Sequence, residues 1–187
     1  FGGLALGSLF SDNASAASTL NPLALKKPHF EPKAKRMVHF FMNGGPSQVD
    51  TFDPKPMLDK YDGKPLPNVL KTERPTGAGF KSPFQFKKHG QCGTEISDLF
   101  PKLSEFADDL CVIRSMTVKF MEHAQANNYY HSGNPLTGFP SLGAWTTYGL
   151  GSESKNLPGF MVLASGEIPL GGINVYGSGF LPAVHQA

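Results

Sequence analysis

Met37-Val38-His39-Phe40-Phe41-Met42-Asn43 is a nearly continuous apolar run that stops abruptly at Gly44-Gly45-Pro46. A strand with one face in water alternates polar and apolar residues, and this run does not, so it predicts a central strand covered on both faces, as in a parallel sheet. His39 then reads as a satisfied core histidine. Leu110-Cys111-Val112-Ile113-Arg114-Ser115 and Phe160-Met161-Val162-Leu163-Ala164 read as further strands of the same kind. Before the second of the three strands, Ile96, Leu99, Phe100, Leu103, Phe106, Ala107 and Leu110 recur at spacings of three and four. That spacing predicts an amphipathic helix, with Ser97 as N-cap and Pro101 near the first turn. Strand, helical crossover, strand is the parallel unit, and the fold class is therefore α/β, a mostly parallel sheet flanked by helices. Two more helices are expected over 123–130 and 141–148. Residues 51–95 carry six prolines and five glycines without sustained periodicity and read as a loop-rich insertion.

Composition agrees with a folded but loop-rich chain. Gly and Pro number 21 and 16 among 187 residues, about a fifth, below the roughly 25–30% at which low-complexity disorder is expected. The formal net charge is only +2, which argues against a nucleic-acid binder relying on dense phosphate neutralisation. Cys92 and Cys111 are too few for a disulfide scaffold and lack zinc-site spacing; they form one bridge or none.

The ends of the chain carry a second kind of information. Phe1–Phe10 is small, uncharged and apolar, and the polar stretch after it leads to Ala14-Ser15-Ala16, a small-x-small pattern. Residues 1–17 therefore read as the tail of a secretory signal, the run as it stands being shorter than the roughly 20 residues of a membrane span, with a membrane anchor and a core helix of the mature domain as the alternatives. The expected location is exported, periplasmic or cell-surface, with no span in the mature chain. Residues 18–35 follow as a basic, proline-containing linker, and 36–187 as the folded part. The chain opens on Phe1 and closes without a terminal helix or polar tail, and reads as a piece of a longer protein.

Open parallel sheets bind ligands beyond the carboxyl ends of their strands, which points to the loops 43–53 and 115–123. In the first, Gly44 and Gly45 let backbone N–H groups approach an anion, with the Ser47 hydroxyl beside them. Asn43, Asp50 and Asp53 are the oxygen donors a divalent ion would use there. The same residues also suit a glycine turn whose aspartates cap the following backbone. In the second loop His123 opens a helical stretch and stands one turn below Asn127 at i, i+4, where it would face an anion held at the helix start.

The run Val38 to Pro56 resembles the signature opening of the exported bacterial family catalogued as domain of unknown function 1501. So do Pro140-Ser141-Leu142-Gly143-Ala144-Trp145, Tyr148-Gly149-Leu150-Gly151, Asn156-Leu157-Pro158 and Gly179-Phe180-Leu181-Pro182. The family is grouped with the alkaline phosphatase and sulfatase superfamily. The resemblance implies the N-terminal portion of a sulfatase-like α/β domain, export by the twin-arginine route and a metal site at the strand ends holding zinc, calcium or magnesium. It also implies a sulfate- or phosphate-ester substrate. Phe100–Ala107 is similar to the helix before the sulfatase nucleophile motif and Ser132-Gly133 to the Thr-Gly nine residues after the nucleophile, which places His123 at the nucleophile position and Asn127 at that of its arginine. Asn43 stands where the superfamily places a metal-binding Asp. Neither Cys nor Ser occupies the nucleophile position, so the usual covalent route is not supported. Two functions follow as expectations: a metal-dependent ester hydrolase of which this piece alone is inactive, or a non-catalytic exported binding or assembly module. The protein partner of the second is not specified.

Overall fold

The computed structural model describes residues 21–68, 75–164, 166 and 168–187, and the expected export signal over 1–17 lies outside them. The fold is mixed α/β, with short helices and, among the described residues, a single two-stranded sheet. No helix among those residues is long and apolar enough to cross a membrane. The chain divides into two compact units, residues 38–117 and residues 118–187 with the chain up to Met37.

The 38–117 unit is organised by a hairpin. Strand β1 (Phe86–His89) pairs antiparallel with β2 (Thr94–Ser97), Phe86 opposite Ser97 and His89 opposite Thr94. Gly90 and Gly93, at φ 66° and 68°, close the connecting turn. Asp108 fastens that turn by accepting the Gln91 and Cys92 N–H groups at 3.0 and 2.8 Å. Those backbone donors hold its carboxyl below the ordinary range. Ile96 is fully buried, and Thr51, also buried, accepts the Ser97 N–H on its carbonyl at 3.0 Å. Phe52 stacks on Phe100 at 5.8 Å, and a short helix α1 (Pro56–Lys60) starts on a proline, whose missing N–H costs nothing in a first turn. Cys92 and Cys111 are both free and exposed.

Two sequence expectations are corrected in the described residues. The helix expected from Ile96 to Leu110 is replaced by β2 and a 3-10 turn, Leu103–Asp109. Its stripe is only partly buried: Ile96 and Ala107 are inside, while Leu99 and Phe106 are 42% and 57% exposed. The hairpin takes Ile96 and Ser97 into a ladder, Pro101 offers no N–H, and Phe106 leaves helical geometry at φ −106°, ψ 21°. The runs 37–43, 110–115 and 160–164 join no ladder, and Val38, Phe40, Ile113 and Leu163 are exposed. A parallel strand is held by neighbours that arrive only through long crossovers, and the described residues form no parallel sheet. Residues 51–95, expected to be loop-rich, contain α1 and β1. The signal for β1 was weak because Phe-Lys-Lys-His lacks apolar alternation.

The other unit is built on two helices that agree with the sequence reading. Helix α2 (His123–Ser132) opens on Glu122, whose side chain accepts the Gln125 N–H at 2.9 Å. Helix α3 (Leu142–Leu150) opens on Ser141, which accepts the Ala144 N–H at 3.3 Å. The 3-10 turn Gly172–Tyr176 buries Val175 and sets Tyr176 edge-on to His131 at 5.4 Å. Helix α3 buries its small residues, Ala144 and Thr147, while Leu142, Trp145 and Tyr148 stay substantially exposed. Trp145 packs edge-on to Phe180 at 5.8 Å. The chain at Leu23–Lys26 is strapped to the end of α3, with the Lys26 N–H on Leu150 O and the Ser152 N–H on Leu23 O.

Candidate functional site

The loop 43–53 is shaped by backbone geometry. Gly44 and Gly45 follow each other at φ 84° and 63°, and a Cβ at either would meet nothing within 4 Å. The Gly45 N–H is used inside the turn, donating to Met42 O at 2.8 Å. Ser47 precedes the 3-10 turn Gln48–Asp50 and makes no side-chain cap; its carbonyl accepts the Asp50 N–H and the Thr51 hydroxyl. Thr51, buried at 1% exposure, anchors the loop to the hairpin.

The two carboxylates of this loop differ. Asp53 lies 2.6 Å from Lys55 Nζ. Asp50 is half-buried and makes no hydrogen bond or ion pair with its side chain among the described residues. Asn43 is exposed at the turn. As a donor set for a divalent ion, one amide, one open carboxylate and one carboxylate already neutralised by a lysine are incomplete, because such ions take four to eight ligands. Among the described residues no three His, Cys, Asp or Glu side chains gather to hold a metal ion. The residues present therefore do not make a closed metal centre.

His123 and Asn127 stand one turn apart on α2, in a different unit from the 43–53 loop. His123 is exposed, and Asn127 donates from Nδ2 to Leu170 O at 2.7 Å, tying the 170 loop to the helix. The anion-receiving end of α2 is served by its own chain: Glu122 accepts backbone N–H groups there, and these bonds hold its carboxyl below the ordinary range.

A further constellation has no counterpart in sequence spacing. His185 is 1% exposed. Its Nδ1 lies 3.3 Å from Thr147 Oγ1, and the Tyr148 ring stands edge-on to the imidazole at 5.4 Å. Thr147 Oγ1 also lies 3.2 and 3.1 Å from the Gly143 and Ala144 carbonyls. Thr147 Oγ1 and His185 Nδ1 are within hydrogen-bond reach of each other, and the imidazole tautomer sets which one donates. Lys26 Nζ donates to Tyr148 O and lies 4.7 Å over that ring. Burial and then the Lys26 charge push the His185 pKa below its ordinary 6.5. The folded state keeps His185 neutral while the unfolded chain protonates, so stability is full above pH 6.5 and falls as pH drops below it. The protection factors of the α3 amides, taken relative to intrinsic exchange at each pH, are expected to fall between pH 7 and pH 5, and His185→Gln to flatten that dependence. Equal slopes for the two proteins would exclude His185 as the titrating group.

Against known proteins, a family model described as "Protein of unknown function (DUF1501)" matches residues 34–187. Neither a curated protein nor a solved structure matches the chain. The match takes in the glycine loop, the hairpin, both capped helices and the closing turn, and the chain belongs to the DUF1501 family.

Proposed function

We propose that this chain belongs to an exported hydrolase of sulfate or phosphate esters that works with a divalent metal ion, zinc, calcium or magnesium, on an alkaline phosphatase-like parallel sheet. The observation that carries the reading is Asp50. It is a carboxylate without an internal partner, set just after two consecutive left-handed glycines, whereas its neighbour Asp53 is tied to Lys55. In this reading Asp50 and Asn43 are the first donors, and Gly44, Gly45 and Ser47 shape the turn beside the ester's anion; the catalytic role expected of His123 and Asn127 is a separate proposal about α2. The remaining donors are to come from outside the described residues, as are the strands that would pair with the exposed apolar runs at 37–43, 110–115 and 160–164.

The test is metal content and turnover of aryl sulfates and aryl phosphates by an exported protein of the family containing this chain. Asp50→Asn is expected to lower metal occupancy and turnover together, and His123→Ala to lower turnover by about 100-fold with metal retained. The 187-residue chain alone is expected to turn over neither ester. Turnover indifferent to both substitutions would overturn the reading.

A second reading, a non-catalytic exported binding or assembly module, rests on the resemblance, which implies a Cys or Ser nucleophile at the position that His123 holds here. Absence of metal and of turnover in the exported protein, with a stable partner recovered alongside it, would select it.

A further inference from the structure

Residues 27–37 concentrate charge that the rest of the molecule lacks. Lys27, Lys33, Lys35 and Arg36 against Glu31 make +3, in a chain whose whole formal charge is +2, so the remainder carries a slight negative excess. Pro28 and Pro32 keep the segment out of helical geometry, it forms no regular element, and every residue from 29 to 37 is exposed. None of these eleven residues makes a side-chain hydrogen bond or ion pair among the described residues. Lys55, Lys81 and Lys102 sit on carboxylates and Lys26 sits on Tyr148, while Lys64, Lys87, Lys88, Lys119 and Lys155 are unpaired singly or in twos; among the described residues only 27–37 gather four unpaired cations in ten positions.

Apolar side chains stand among these cations without shelter. Phe30 is 87% exposed and Met37 61%. The root of the segment is fixed, because Leu23 and Lys26 are bonded to Ser152 and Leu150 beside α3. The result is an extended segment, fixed at its Leu23–Lys26 root and continuing into the 38–117 unit, with its cations and an aromatic ring exposed to reach one surface.

We propose that residues 27–37 dock the protein on a bilayer rich in anionic phospholipid. Lys27, Lys33, Lys35 and Arg36 lie against phosphate headgroups, and Phe30 enters the interfacial layer where an aromatic ring is favoured. Charge complementarity selects this occupant. A nucleic-acid surface would call for a basic stripe over the fold or a series of stacking rings, and here the fold outside the segment is slightly acidic and the segment holds a single benzene ring.

The test is co-sedimentation of the whole chain with vesicles of phosphatidylcholine alone or with about 30% phosphatidylglycerol. Binding to the anionic vesicles is expected to be at least about 10-fold stronger at ~0.1 M salt and to disappear at ~0.5 M, where screening is within a few ångström. Lys27→Gln, Lys33→Gln, Lys35→Gln and Arg36→Gln together are expected to bring it to the phosphatidylcholine level without moving the melting curve. Phe30→Ala is expected to weaken it several-fold while keeping its salt dependence. Equal binding to both vesicles would overturn the proposal. So would anionic binding that survives the four substitutions, which would place it in another segment, or tighter capture of residues 27–37 by nucleic acid than by vesicles.

Discussion

Replacing Ile96 by alanine is expected to cost the 38–117 unit about 3 kcal/mol, and Ile96→Val about 1 kcal/mol. Ile96 is the largest fully buried side chain, at 0% exposure, and in its unit only Ala107 joins it as a buried apolar side chain among the described residues. A two-stranded hairpin is marginal in water by itself. The β1–β2 pair is therefore held by what Ile96 fills and by the Ser97 N–H on Thr51 O, which ties the hairpin to the 43–53 loop. The expected signature is loss of amide protection across Phe86–His89 and Thr94–Ser97, with the protection of α2 and α3 unchanged. Protection in the alanine variant equal to that of the parent would show that the hairpin stands without this side chain. The prediction also bears on the candidate site, since Asp50 adjoins Thr51 and the loop has no other hydrogen bond to a strand among the described residues.

A comparable loss is expected in the other unit from Gly179→Ala. Gly179 sits at φ 56°, where a side chain costs about 1–2 kcal/mol in backbone energy alone. A Cβ there would also lie 2.5 Å from both Phe139 C and Pro140 N. These are backbone atoms, so no rotamer change relieves the clash, and the total is expected to reach about 3 kcal/mol or more. Gly138→Ala is the matched control: its φ is 92° but a Cβ would meet nothing within 4 Å, leaving only the conformational cost. The damage in the first variant should appear at the start of α3, where the Ser141 N–H donates to Gly177 O at 3.0 Å and the Ser141 side chain caps the helix. Identical melting of the two alanine variants would show that the close approach of Gly179 to Phe139 and Pro140 does not occur.

Helices α2 and α3 were legible in the residues because their starts are decided locally. Glu122 and Ser141 each bond an N–H three residues ahead, an interaction that operates within one turn. The glycine turn at 44–45 was legible for the same reason, and the structure places both residues at positive φ. The separation of the candidate residues was not legible. Asn43, Gly44, Gly45, Ser47, Asp50 and Asp53 share one loop in one unit, while His123 and Asn127 belong to the other. Asn127, expected beside chemistry, bonds Leu170 forty-three residues away.

The spacing of Ile96 to Leu110 and the unbroken apolar run at 37–43 were misleading for a common reason. Apolar periodicity reports which side chains prefer to leave water and says little about which neighbour will cover them. At Ile96 a four-residue turn bounded by Gly90 and Gly93 supplies a closer partner, β1, in place of a helix. At 37–43 no described residue supplied a ladder, and Val38 and Phe40 remain exposed. Family membership, the capped helices and the concentration of cations at 27–37 follow from the order of residues alone, since each depends on composition or on contacts a few positions apart. The hairpin, the open carboxylate of Asp50 and the neutral His185 thirty-eight residues from Thr147 were decided only when distant segments packed. Burial, ladder pairing and the pKa of a histidine are properties of surroundings, and those surroundings exist only in the folded chain.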